Sequence, residues 1–552
     1  MSEGEAKVRE LADRYWEELL EIEPLLGTEV GDERFDDRLG DPSEAGLERS
    51  RHLQQRTLDA LGQVDRAGLD EAWRGVADVL EGIANRALDE IRLRTDLLGN
   101  VGHLWGPAQL LVVIATLQRA DTPERLDRYV ARLRAFPRYF EEIAETAADG
   151  VERGITQPAL VVDRTIAQVE RLVAIPPEQS PGMKPVEGSS PTTLLMVAEA
   201  IRDHVLPAYQ TYLEALRAYR AHAREDSIGL SALPDGEARY ASAIKAWTTL
   251  PLTAEQVHNI GLEDLADIQD ERRRIAESLG HPDGASAIAA YTETGANTAK
   301  TREEMVQHAE DMVQRGWDAA SGWFGRLPKD NCRVQAVEEF REKDSPTAFY
   351  YPASADGSRQ GIYYINTSDL DQRTLHQIAS VTYHEANPGH HFQISIEQEF
   401  DDRPAIRRFG GNLGGSAFIE GWALYCERLA DEMGLYLNEH ERLGMLESQG
   451  WRACRLIVDT GMHALGWARD QAIDQMVEAG VSPLEAEIET DRYISMPGQA
   501  LAYKIGQHEI EKWRSAAEKR AGADFSIKGF HDRLLQLGAL PLAALERELG
   551  SA

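Results

Sequence analysis

Apolar residues recur every three or four positions along most of this chain, a period that admits helices and little else. The segment Ala6-Lys-Val-Arg-Glu-Leu-Ala-Asp-Arg-Tyr-Trp-Glu-Glu-Leu-Leu20 sets the pattern. Comparable stretches lie around 45–95, 106–120, 124–148, 157–174 and 191–225, then at 254–279 and 301–325, with Pro123, Pro137 and Gly154 near boundaries. One region breaks the rule. Cys332–Val337 alternates, Thr347–Tyr351 is rich in strand formers, and Gly361–Thr367 reads as a further strong strand. A small sheet at about 332–367 is therefore predicted, followed by a helix running from about Asp369 into a cluster of histidines. Helices resume from about 416, and the proline-rich 175–191 reads as the least structured segment of the first half. The expected fold is mainly α, with an N-terminal helical half, 1–226, and a second half, 227–552, that carries the sheet and the histidines. The two halves are expected to form one compact unit.

Charge narrows the function. Lys and Arg total 59 against 93 Asp and Glu, a formal net charge of -34. Such a surface repels phosphate backbones and anionic lipid, so neither nucleic acid nor membrane is an expected partner. Three cysteines, Cys332, Cys426 and Cys454, are too few and too scattered for a disulfide framework or a thiolate metal site; they read as small buried hydrophobes. The charged amphipathic start and the lack of any run of about 20 apolar residues make the cytoplasm the expected location.

The chemistry concentrates in Tyr383-His-Glu-Ala-Asn-Pro-Gly-His-His-Phe-Gln393. Two imidazoles four residues apart on a helix, with a Glu between them, form a familiar zinc motif in which the Glu is the general base. Here Pro388 stands where the second His would be, and the next histidines are His390 and His391. On a straight helix these would lie about 9–10 Å from His384 along the axis, too far to share one ion. Proline cannot continue the hydrogen-bond ladder and glycine tolerates unusual dihedrals, so Pro388-Gly389 predicts a two-residue bulge that returns His390 to the face of His384. His390 is the preferred second ligand, with His391 the alternative. A third ligand is expected at Glu420, a carboxylate within the apolar run Ser416-Ala-Phe-Ile-Glu-Gly-Trp-Ala-Leu-Tyr-Cys-Glu427, where an unpaired charge would be costly. Glu427, on roughly the same face, suits an acceptor for a ligand imidazole. One zinc ion per chain is expected, although two His and one Glu also suit manganese or cobalt.

His384-Glu-Ala-Asn-Pro-Gly-His-His391 and Glu420-Gly-Trp-Ala-Leu-Tyr-Cys-Glu427 resemble the family catalogued as domain of unknown function number 885. Further segments that fit are Pro24-Leu-Leu-Gly-Thr28, Leu233-Pro-Asp-Gly236, Asp356-Gly-Ser-Arg359, Arg455-Leu-Ile-Val-Asp-Thr-Gly-Met-His463 and Pro497-Gly-Gln-Ala-Leu-Ala-Tyr-Lys-Ile-Gly506. That family is grouped with zincin-like metallopeptidases, beside helical oligopeptidases and the angiotensin-converting-enzyme type. The resemblance implies a deep cleft between helical halves and an edge strand before the metal helix, a place that Gly361–Thr367 fits. The oligopeptidases carry a Gly before their second zinc His, as Gly389-His390 does here.

In the mechanism this implies, Glu385 takes a proton from an activated water and passes it to the leaving amine. An oxyanion donor is expected at Tyr503, from its place in a late segment comparable to that of the oligopeptidases, with Tyr493 as the second choice. His463 is a candidate partner of substrate or water, and equally a core histidine. Arg455, Arg492, Lys504 and Arg359 are candidates to hold a substrate carboxylate. The strand Tyr363–Asn366, with Tyr364 at its centre, is a candidate to align a peptide by strand addition. The expected activity is hydrolysis of short peptides, with exopeptidase action suggested by the family's helical lid. The alternatives are hydrolysis of a non-peptide amide or ester, and a non-catalytic binding protein on the same fold.

Overall fold

A computed structural model describes residues 2–338, 342, 346–353 and 360–550. The described chain is mainly helical, with one three-stranded sheet. Its first helix, Glu3–Ile22, shows how the sequence pattern becomes packing. Ser2 and Glu5 close a reciprocal cap at its start, and Val8, Leu11, Ala12, Tyr15, Trp16, Leu19 and Leu20 are buried along one stripe. Burying each large apolar side chain contributes roughly 1.5–3 kcal/mol, far more than helix propensity does. The same core continues through Phe392, Trp422 and Leu501 to Leu549, so the first and last helices share an interior with the histidine region. Residues 101–219 hold a second cluster, where Phe136, Phe140, Tyr209 and Tyr212 pack ring against ring.

The segment 175–191 is more ordered than its composition suggests. Two short 3-10 helices, Pro177–Gln179 and Pro181–Val186, begin on prolines whose fixed φ suits a first turn, and Met183 and Val186 are buried in the second cluster. Cys332, Cys426 and Cys454 are all free and buried.

The sheet lies where expected, but its order differs. Strand β1 is Arg333–Ala336, β2 is Ala348–Tyr351 and β3 is Ile362–Ile365. They lie in the order β1-β3-β2, with β1 parallel and β2 antiparallel to β3. The strand expected at the edge, Gly361–Thr367, is therefore central, with both flanks occupied, and β2 is the edge beside the histidines. Strand propensity reports which residues extend and not which of them pair. Tyr364 stacks on Phe349 of β2, with ring centroids 4.9 Å apart, and its strand has no open side for an added peptide. Tyr363 is fully buried and its hydroxyl meets Thr382 at 2.9 Å, which ties the sheet to the helix Leu375–Glu385.

Candidate metal centre

The helix Leu375–Glu385 delivers His384 and Glu385 on its last turn and then stops. A second helix, His390–Gln398, begins after four intervening residues. The predicted bulge within one helix is thus a complete break, in which the Asn387–Pro388 peptide is cis. Gly389 is required there: a Cβ at that position would collide with the main-chain carbonyls of His384 and Tyr383. This tight return sets the His390 ring edge-on to that of His384, with centroids 4.8 Å apart and an interplanar angle of 90°.

The third residue comes from the helix Ser416–Glu432. Glu420 Oε2 lies 3.7 Å from His384 Nε2 and 3.5 Å from His390 Nε2. Donors bound tetrahedrally to zinc at about 2.0–2.2 Å are separated by about 3.3–3.6 Å, so the three atoms already stand close to that geometry. They form the one group of three or more His, Cys, Asp or Glu donors with such proximity among the described residues. Side-chain exposures of 5% for His384, 12% for His390 and 22% for Glu420 make Glu420 the most accessible of the three.

Seven residues along the same helix, Glu427 holds the other side of His384. Its Oε1 accepts from His384 Nδ1 at 2.8 Å, so Nε2 is the nitrogen left to face Glu420. Glu427 is fully buried and also accepts from Ser380 Oγ at 2.9 Å and Gln449 Nε2 at 3.3 Å. Burial opposes its charge, but the His384 bond and the nearby Arg452 charge outweigh it and hold the carboxyl below its ordinary range. Burial likewise opposes protonation of His384, yet the facing Glu420 carboxylate and the hydrogen bond to Glu427 lift it to about 9. Glu420 is also held low: burial is overcome by the two imidazoles. A carboxylate drawing two imidazoles to one point is an arrangement that a divalent cation would satisfy. His390 Nδ1 is buried with no partner among the described residues.

His391 stands apart from the group. Its Nδ1 accepts from the Tyr350 hydroxyl at 3.0 Å and its Nε2 donates to the Asp330 carbonyl at 3.0 Å. Burial lowers it to about 4, so it is a neutral structural ring; of the two adjacent histidines, His390 is the one in the triad.

Glu385 is fixed by the sheet. Its Oε2 accepts the Tyr350 N–H of β2 at 2.9 Å. Tyr350 thus positions both Glu385 and His391, a role that strand propensity alone does not announce. The signal available was a Tyr in the strand preceding the histidine helix.

Tyr503 lies beside the triad on the helix Leu501–Ala521, its ring stacked 6.5 Å from that of His384. Two glycines permit this. A Cβ on Gly421 would strike the backbone of Gly506, and one on Gly506 would strike the Ala417 carbonyl, so the helices carrying Glu420 and Tyr503 cross at backbone contact. Burial and the Glu420 charge raise the Tyr503 phenol, so it stays protonated and able to donate.

Other expected residues fall elsewhere. His463 donates from Nε2 to the Tyr493 carbonyl at 3.0 Å and accepts the Leu230 N–H on Nδ1 at 3.3 Å; both nitrogens are spent on backbone and burial lowers it to about 4. It is a core histidine, not a substrate partner. Lys504 is also withdrawn, with its ammonium among Gln449, Gln507 and Asp264 and only 4% of the residue exposed. Tyr493 is fully engaged: its hydroxyl donates to Glu489 Oε2 at 2.5 Å and accepts from Arg455 Nε at 2.8 Å, so it is no free oxyanion donor. Arg455 and Arg492 share Glu489 beside Tyr503. Arg359 lies outside the described residues.

Two solved structures resemble this chain over its length. One is a protein described as "putative lipoprotein" from Colwellia psychrerythraea, 25% identical, with a TM-score of 0.90 over 99% of each chain. The other, described as a "putative lipoprotein of unknown function" from Shewanella oneidensis, is 20% identical, with a TM-score of 0.77 over 97% of this chain and 98% of that one. No curated protein matches. The sequence pattern of a described family covers residues 24–549, and the chain belongs to that family, "Bacterial protein of unknown function (DUF885)".

Proposed function

We propose that this protein is a zinc-dependent hydrolase of short peptides, of the zincin-like kind, with its site in a cleft between helical regions. The observation that carries the reading is the convergence of His384 Nε2, His390 Nε2 and Glu420 Oε2 on one point beside an independently held Glu385. Two imidazoles and one carboxylate would hold the ion and leave a further position open, as catalytic zinc sites do. When bound, zinc supplies Lewis acidity to a water molecule and to a substrate carbonyl. Glu385 takes a proton from the attacking water as the carbon–oxygen bond forms, and gives it to the leaving nitrogen as the carbon–nitrogen bond breaks. The Tyr350 N–H keeps that carboxylate from turning away. The Tyr503 phenol donates to the oxygen that gains charge.

Glu385 supports this reading over a non-catalytic one. Glu427 would serve any metal-bound His384, but a site that only holds an ion needs no further carboxylate, Glu385, beside the triad. Replacing Glu385 with Gln should reduce turnover by about 10²–10⁴-fold while zinc content stays unchanged. Full activity in that variant against a peptide library would sink the mechanism, and activity confined to non-peptide esters or amides would replace the substrate. No helix among the described residues is long and apolar enough to cross a membrane. The cytoplasm is the proposed location; the lipoprotein descriptions of the two solved relatives make the envelope the alternative that fractionation tests.

A further inference from the structure

Next to the triad the polarity reverses. Arg452, Arg455 and Arg492 gather around Trp451, Tyr493 and Tyr503 in a chain whose formal charge is -34. Glu489 is the counter-ion of Arg455 and Arg492. Burial opposes its charge, but Arg455 and Arg492 overcome this and hold it at about 2. Glu427, the carboxylate nearest Arg452, is already bound to His384. The carboxylates do not use up every donor of these arginines. Arg455 is only 5% exposed, yet its Nη1 has no partner among the described residues, and Arg452 Nε has none either. A buried donor without an acceptor is costly, and a charged one more so.

The cluster is connected to the triad through one ring. The Tyr503 centroid lies 6.5 Å from that of His384 and 4.7 Å from Arg455 Cζ, which places the guanidinium within about 11 Å of the His384 ring. That is about three residues of extended peptide. Arg492 donates from Nη1 to Gln499 at 2.6 Å, Gln499 lies 3.5 Å from the Tyr503 hydroxyl, and the Arg492 side chain is 21% exposed, the more accessible of the two arginines that share Glu489.

We propose that Arg455, with Arg492, receives the free C-terminal carboxylate of a peptide, so that the site cuts within about three residues of that end. The inference rests on the hydrolase reading for the cut and on the arginine cluster alone for the carboxylate. A planar fork with one unspent N–H is suited to a carboxylate, whereas a peptide amine would meet repulsion here.

The test is binding to the full-length, zinc-loaded Glu385→Gln protein, titrated with N-acetyl-tetra-alanine as the free acid and as the C-terminal amide. The acid should bind at least about ten-fold tighter, the effect of one charge-assisted hydrogen bond. Adding Arg455→Gln should remove that preference; if this double variant does not fold, Arg492→Gln, at a partly exposed position, should reduce it. Equal affinity for acid and amide, no binding of either at millimolar concentration, or a preference that survives both arginine changes overturns the proposal. Acid preference in a wild type that hydrolyses no peptide would end the hydrolase reading and leave the carboxylate subsite standing. Peptide hydrolysis without acid preference would do the reverse.

Discussion

Two buried polar regions lie a few side chains apart, and they are satisfied in opposite ways. Around His463, each polar group meets a partner within the protein: both ring nitrogens bond to backbone, Tyr240 donates to Asp459 at 2.6 Å, and Asp459 accepts the Gly498 N–H at 3.1 Å. Around His384, two ring nitrogens and a carboxylate oxygen face one another at 3.5–3.7 Å, beyond hydrogen-bond length, around a shared point. The first region is complete without a ligand. The second is complete only with one, and this difference, more than residue type, separates the structural histidines from the candidate ligands.

Substitutions can break this comparison, and the largest effect is expected near the triad. Tyr503→Phe removes the phenol that faces the site and should cost about 10²–10³ in turnover, with metal content unchanged. Unaltered turnover would remove Tyr503 from the mechanism. A smaller effect is expected at Glu427. Glu427→Gln weakens the orientation of His384 and should lower zinc affinity by about 10–100-fold, read by competition with a chromophoric chelator. The smallest functional effect belongs to the satisfied region. His463→Phe strands the Tyr493 carbonyl and the Leu230 N–H, and should destabilise the fold by about 1–3 kcal/mol while zinc affinity holds. Loss of zinc in that variant would erase the distinction between the two regions.

The sequence made the helices, the three strands and the triad legible for a shared reason: each rests on local chemistry. Pro388-Gly389 announces a break, and a carboxylate at Glu420 within apolar neighbours announces a partner. What it concealed is pairing at a distance. Nothing in Gly361–Thr367 says that it will be flanked on both sides, as β3 is by β1 and β2. Nothing near His463 or Lys504 shows that the Leu230 N–H, 233 residues away, and the Gln449 amide, 55 residues away, will occupy them. The crossing of Gly421 on Gly506, which brings Tyr503 to the triad, depends on two single glycines 85 residues apart in the numbering.

The central claim is that one divalent ion is held by His384, His390 and Glu420. Elemental analysis of untagged protein tests it most directly, on the wild type and on His384→Ala, His390→Ala, Glu420→Ala and His391→Ala. The account predicts about one zinc per chain in the wild type and in His391→Ala, and loss of it in the other three, because catalytic zinc needs all three protein ligands. A wild type that binds no metal after incubation with zinc, or a His390→Ala protein that keeps its metal while His391→Ala loses it, would contradict the site.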